Sequence, residues 1–238
     1  MTCKNCNTEV TQHYCPNCGQ PAKLKRIDGY YIVHEIEHVL HFEKGILYTI
    51  RELLTKPGQN VRDYISENRS RLVKPIIFII VTSLIYSVAS HLFHIEDHYV
   101  SYTQSKQTTT VFLFGWIQAH YGYSNIMMGV FIAFWAKVFF KKYEYNFFEI
   151  LILLCFVMGM AMLFLAVFAV IQGITHIDLM QIASMIGLVY CTWAIGQFFD
   201  KRKIVNYVKA LGAYLLGMLT FFLLVILLGT LVDFLLGH

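Results

Sequence analysis

From Pro75 to Phe93 the chain carries no Asp, Glu, Lys or Arg, and Arg69, Arg71 and Lys74 stand just before that run. A helix needs about 20 apolar residues to cross a bilayer, so the run is long enough to span one. Basic residues beside a membrane helix are retained in the cytoplasm, which predicts that this segment leaves the cytoplasm at Pro75. The segment also divides the chain. All four prolines and four of the six cysteines lie at or before Pro75. After it the sequence is mostly apolar.

Four further runs follow, at about Ile126–Phe140, Phe147–Ile171, Leu179–Phe199 and Leu211–Leu236. Residues are 57% hydrophobic and 14% charged, against roughly 25% charged in soluble domains. The fold class expected is an all-α polytopic membrane protein of about five transmembrane helices over residues 75–238. Lys141 and Lys142 follow the second run, and Lys201, Arg202, Lys203 and Lys209 separate the last two. With Arg69, Arg71 and Lys74 these basic residues predict a cytoplasmic N-terminus and an extracytoplasmic C-terminus in the cytoplasmic membrane. The same placement explains the net charge of +4 without nucleic-acid binding. Residues 111–119 are apolar but too short to span, so they either lie in the interface or lengthen the second span.

The first 22 residues have a different logic. Cys3 and Cys6 form one CxxC pair, and Cys15 and Cys18 form another, followed by Gly19. Two-residue spacing lets both sulfurs of a pair reach one ion, and four soft thiolates in a tetrahedron suit zinc. A chain that starts in a reducing compartment rarely makes disulfides, and no strand–helix context supports a redox CxxC. So small a piece cannot build a core, and metal binding would supply its folding energy. The expectation is a structural zinc ribbon over residues 1–22, closed to further ligands, that docks on another part of the chain or on a partner.

Residues 23–74 read as amphipathic helices on the cytoplasmic face. From Tyr30 to Phe42, Val33, Ile36, Val39 and Leu40 share one face. His34, His38 and His41 fall opposite it, and His34-Glu35-Ile36-Glu37-His38 matches HExxH, the pattern of a metalloprotease in which Glu is the general base. The motif is short, and no third ligand of the usual kind follows, so the face is expected to be solvated, with metal binding or proteolysis as alternatives. A second helix runs from Phe42 to Leu54 and stops at Lys56-Pro57-Gly58, and a third is expected from Val61 to Arg69. These helices either lie in the interface or pack on the ends of the bundle. Beyond the first span, His91, His94 and His98 with Glu96 and Asp97 form a second candidate metal cluster, on the outer side. His120 and His176 are expected on that side too.

The motifs Tyr14-Cys-Pro-Asn-Cys-Gly-Gln20, Gly45-Ile-Leu-Tyr-Thr-Ile-Arg-Glu-Leu-Leu54, Pro57-Gly58, Arg62-Asp-Tyr-Ile65, Arg69 and Pro75 resemble a bacterial membrane family known as domain of unknown function 3667. The resemblance covers roughly residues 3–80, and Glu67-Asn68-Arg69 departs from the Gly-Lys-Arg of that pattern. It implies an integral membrane protein with a zinc-ribbon start and implies no activity. No proline occurs after Pro75, so the broken helices of transporter sites are not expected. The function expected is a non-enzymatic scaffold or regulator, with the ribbon docking a cytoplasmic protein and the helices held in the lipid bilayer. Transport or sensing of a small solute, such as a divalent metal, is the alternative, and a membrane metalloprotease the third.

Overall fold

A computed structural model of the chain describes residues 2, 3, 6, 8, 9, 13–18, 45–93, 95 and 108–236. Two compact units divide it, Met1–Glu43 and Lys44–His238. In the second unit the helices are α1 (Ile46–Thr55), α2 (Pro57–Ser66), α3 (Pro75–Leu92), α4 (Thr109–Ala119), α5 (Tyr121–Phe139), α6 (Phe147–Thr175), α7 (Met180–Asp200) and α8 (Ile204–Leu236). Five of them, α3, α5, α6, α7 and α8, are long and apolar enough to cross a membrane. Among the described residues there is no strand, so the all-α reading with five spans holds.

Helix starts follow from local chemistry. Pro57 and Pro75 each begin a helix, where the missing N–H costs nothing and the fixed φ is already helical. Lys56-Pro57-Gly58 is therefore not only a stop. It ends α1 and opens α2 one residue later, four residues before the expected Val61 start. Helix α6 opens on a capping box: Asn146 Oδ1 accepts from Glu149 N at 2.9 Å, and Asn146 N donates to Glu149 Oε2 at 2.7 Å.

Helix α6 forms the centre. It packs against α3, α5 and α7, while α8 lies across α5 and α7. Two-thirds (67%) of the most apolar stretch of α6 is buried against 22% for α8, although both are strongly apolar. The difference belongs to position, since lipid is as good a solvent as protein for α8's outward Leu side chains. Small residues set the spacing. At Gly217 of α8 an added Cβ would stand 2.6 Å from the Ile132 Cα of α5, so this contact admits only glycine.

The second span is where the fold departs from expectation. Residues 109–119 form a helix of their own, α4, separated from α5 by a break at His120, whose φ and ψ are −120° and 43°. Helix α4 rests on the C-terminal half of α8. Asp233 Oδ1 accepts from Thr109 N at 2.8 Å at the α4 N-terminus, where a carboxylate is favoured. Phe114 and Phe222 stack at 6.1 Å. So residues 111–119 neither lie apart from the bundle nor continue α5 straight.

Candidate metal centre and the family segment

In the first unit the two CxxC pairs come together. The four sulfurs of Cys3, Cys6, Cys15 and Cys18 lie within 4.8 Å of one another. Cys3–Cys18, Cys6–Cys15 and Cys6–Cys18 are 3.6, 3.5 and 3.5 Å apart. A tetrahedron with metal–sulfur bonds of about 2.3 Å has edges of about 3.8 Å, so the sulfur set fits one ion. All six cysteines of the chain are free thiols.

Short-range structure positions them. Cys3 N donates to Thr8 O at 2.9 Å, and Thr2 and Glu9 form an antiparallel bridge that folds the first pair into a loop. Cys3 and Cys15 are buried, and Cys18 is exposed. Hydrogen bonds from the Thr8 side chain and backbone draw the Cys6 thiol down to about 6, a value at which thiolate is present at neutral pH. At Cys15 the Cys18 backbone N–H favours the thiolate, but burial and the protons held with Cys6 and Cys18 outweigh it, and the thiol sits at about 11. Cys6 is thus ionised while Cys15 keeps a proton that a cation would displace. The four cysteines can hold a metal ion.

The remaining sequence candidates divide. His34, His38 and His41, with Glu35, lie outside the described residues, as do His94, His98, Glu96 and Asp97. His91 occupies the last turn of α3 with an exposed side chain. His120 lies at the α4–α5 break, two residues before the candidate span Gly122–Phe139. Gly122, two residues on, lies so close to α3 that an added Cβ would be 2.7 Å from the Ser83 Cβ, and Ser83 is the ninth of the 18 residues of α3.

The motif residues between 45 and 75 serve another purpose. Arg62 Nη1 donates to the carbonyls of Gln197 and Phe198 at 2.7 and 2.6 Å. Those carbonyls end α7, where the helix dipole favours a cation and the backbone has no internal donor. Gly58 N donates to Gln197 Oε1 at 3.1 Å, and an added Cβ at Gly58 would be 2.4 Å from the backbone of Gln197 and Phe198. Tyr190 Oη donates to Leu53 O at 3.0 Å. Val73 N donates to the buried Thr49 Oγ1 at 3.1 Å. Arg71 joins Tyr48, Glu52 and Asp63. In the turn that departs from the family pattern, Asn68 Oδ1 accepts from Ser70 N and Oγ. Helices α1 and α2 are therefore clasped to the end of the bundle. Sequence reasoning missed Gln197, because nothing local marks a glutamine inside an apolar run as the partner of a distant glycine.

Two cavities are lined by described residues. One, of about 290 Å³, lies among α5, α6, α7 and α8 and is lined by Met128, Met158, Met162, Met185 and Met218 with the buried Asn125. The other, of about 220 Å³, lies between α3 and the start of α5.

Fold and cysteine cluster together define the class: a helical protein built to span a membrane several times, with a four-cysteine piece near its N-terminus. Residues 43–87 match the family model described as "Protein of unknown function (DUF3667)", which bears out the motif resemblance over that segment. The match covers α1 and α2 of the clasp, the Arg71 turn and most of α3, including Ser83 and Ser87. Among curated proteins nothing matches, and no solved structure matches.

Proposed function

We propose that this protein is a non-enzymatic membrane scaffold or regulator whose N-terminal piece is a zinc-held docking module on the cytoplasmic side. The observation that carries the reading is the mutual approach of the four sulfurs, within 4.8 Å. Four thiolates fill a tetrahedral ion and leave no position for water or substrate, the arrangement of a structural rather than a catalytic zinc. Zinc is favoured over harder divalent ions by thiolate softness.

The clasp supports the scaffold part. It holds α1 and α2 rigidly against the bundle, at the end where the basic loops meet. Phe140 stacks on Phe199 at 3.7 Å, and Asn206 Nδ2 donates to Tyr143 Oη at 2.8 Å, so the 140–146 and 199–206 turns share that end. Nine Lys and Arg residues gather in the turns and helix ends there (Arg69, Arg71, Lys74, Lys141, Lys142, Lys201, Arg202, Lys203 and Lys209), which supports assigning that end to the cytoplasm.

The reading is tested by affinity capture of the full chain from detergent, with and without Cys15→Ser and Cys18→Ser. A set of partners lost in the double variant is expected, and an identical set from both samples contradicts the docking role. Metal binding should also fail in acid. Protons compete with the cation for all four sulfurs, so affinity should fall as pH is lowered; an affinity that does not change with pH would contradict a thiolate site.

A further inference from the structure

The basic residues at the end of the bundle that carries α1 and α2 are not equivalent. Several are already engaged. Arg71 pairs with Glu52 and Asp63, Lys137 and Lys209 donate to the carbonyls of Tyr145 and Phe139, and Lys203 pairs with Asp200 at 3.2 Å. The other carboxylate oxygen of Asp200 accepts from Arg202 N at 3.0 Å, so both oxygens of Asp200 are in use. Lys141, Lys142, Lys201 and Arg202 differ. All four are exposed, and among the described residues none of their side chains has an acidic partner.

These four cations stand on two turns that are locked to each other. Phe140 stacks on Phe199 at 3.7 Å, and Tyr143 meets the same ring at 5.3 Å. Asn206 Nδ2 donates to Tyr143 Oη at 2.8 Å and to Asp200 O at 3.2 Å. Lys141 and Lys142 therefore lie between two residues that touch the far turn, and Lys201 and Arg202 follow directly on Asp200. The joined backbones cannot part to relieve the repulsion of like charges, which grows where the dielectric falls near a membrane. Glu144, exposed on the first turn, offsets one of the four. Retention of positive charge on one side of a membrane asks only for cations near a span. It does not ask that the free cations of two separate loops be held in one place.

The flank of the turns selects the ligand. Just after Lys203, Ile204, Val205 and Val208 of α8 are 80%, 61% and 66% exposed, and Phe148 at the start of α6 is 73% exposed. Both helices are long and apolar enough to span a membrane, so these side chains meet acyl chains and the cations beside them stand at headgroup level. Phosphate suits the cations, Arg by a two-pronged contact and Lys as a point charge. An acidic polypeptide would match the charge and leave the apolar flank unused.

We propose that the joined 140–146 and 199–206 turns bind the phosphate head of an anionic membrane lipid through Lys141, Lys142, Lys201 and Arg202. The site needs the helices to lie in lipid and is independent of the metal and docking role. The test uses the full chain in phosphatidylcholine nanodiscs carrying a photoactivatable phosphatidic acid, and in parallel a diacylglycerol probe with the same chains and no phosphate. The phosphatidic acid probe should label Phe148 and residues 204–208 roughly tenfold more than the diacylglycerol probe does. Lys141→Gln with Lys142→Gln, and Lys201→Gln with Arg202→Gln, should each lower that labelling, roughly fivefold for each cation removed and about thirtyfold for a pair at low salt. The four side chains are exposed, so the fold should survive, and an unchanged melting temperature checks it. Arg69→Gln with Lys74→Gln removes the same charge from the turn before α3 and should leave labelling unchanged. Equal labelling by the diacylglycerol probe, unchanged labelling in both pair variants, or an equal loss in the Arg69 and Lys74 variant would each overturn the proposal. So would suppression by polyglutamate or glycerol phosphate as complete as that by unlabelled dioleoyl phosphatidic acid.

Discussion

The two ends of the bundle use their polar groups differently. At the end that carries α1 and α2, side chains reach across the chain to backbone groups that helices leave unpaired, as Arg62, Gln197, Tyr190 and Thr49 do. In the other half Asp233 and Gln172 do the same for Thr109 N and Leu179 N, but the hydroxyls of Ser83 and Ser90 are buried without partners, and the backbone turns at His120 between α4 and the spanning α5. The family match covers α1, α2 and α3 as far as Ser87.

Substitutions can break this contrast, and the largest effect is expected at Gly58. Gly58→Val would press side chain into the backbone of Gln197 and Phe198, neither of which can yield, so a loss of about 3 kcal/mol is expected. It should appear as a much lower melting temperature in detergent and as new protease cleavage between residues 44 and 74. Next comes Arg62→Ala, which strips two carbonyls of a charged donor and should cost about 2–3 kcal/mol in the same melt. Thr49→Val then leaves the Val73 N–H buried and unpaired, at about 1–2 kcal/mol. Ser83→Ala sharpens the comparison by reversing its sign. Deleting a hydroxyl that has no partner should be neutral or raise stability by up to about 1 kcal/mol. If Thr49→Val and Ser83→Ala were equally destabilising, the two halves would not differ as described.

Much of this was legible in the sequence because it is governed by local rules. A run free of charge is long enough or not, and Pro75 and Asn146 mark helix starts by their own chemistry. The observed starts of α3 and α6 fall where those residues put them. The fifth span begins earlier than Leu211, at Ile204, because a helix does not end where its apolar run ends. The break at His120 was illegible: residues 119–121 include neither proline nor glycine, and the distortion comes from docking α4 on α8 through Asp233 and Phe222. Proline counting was the wrong instrument there. The four cysteines were readable because their spacing is short, so the chain itself keeps each pair together. The choice between interfacial and bundle-packed helices for residues 46–66 needed Gln197, which is distant in sequence and ordinary in type.

The most direct test of the account is the metal content of the purified full-length chain, measured by elemental mass spectrometry after exhaustive dialysis at neutral pH. One zinc per chain, lost in the Cys15→Ser, Cys18→Ser double variant while the bundle keeps its helical signal and melting temperature, is the predicted result. A metal-free chain whose N-terminal segment still resists protease, or zinc retained in the double variant, would contradict it.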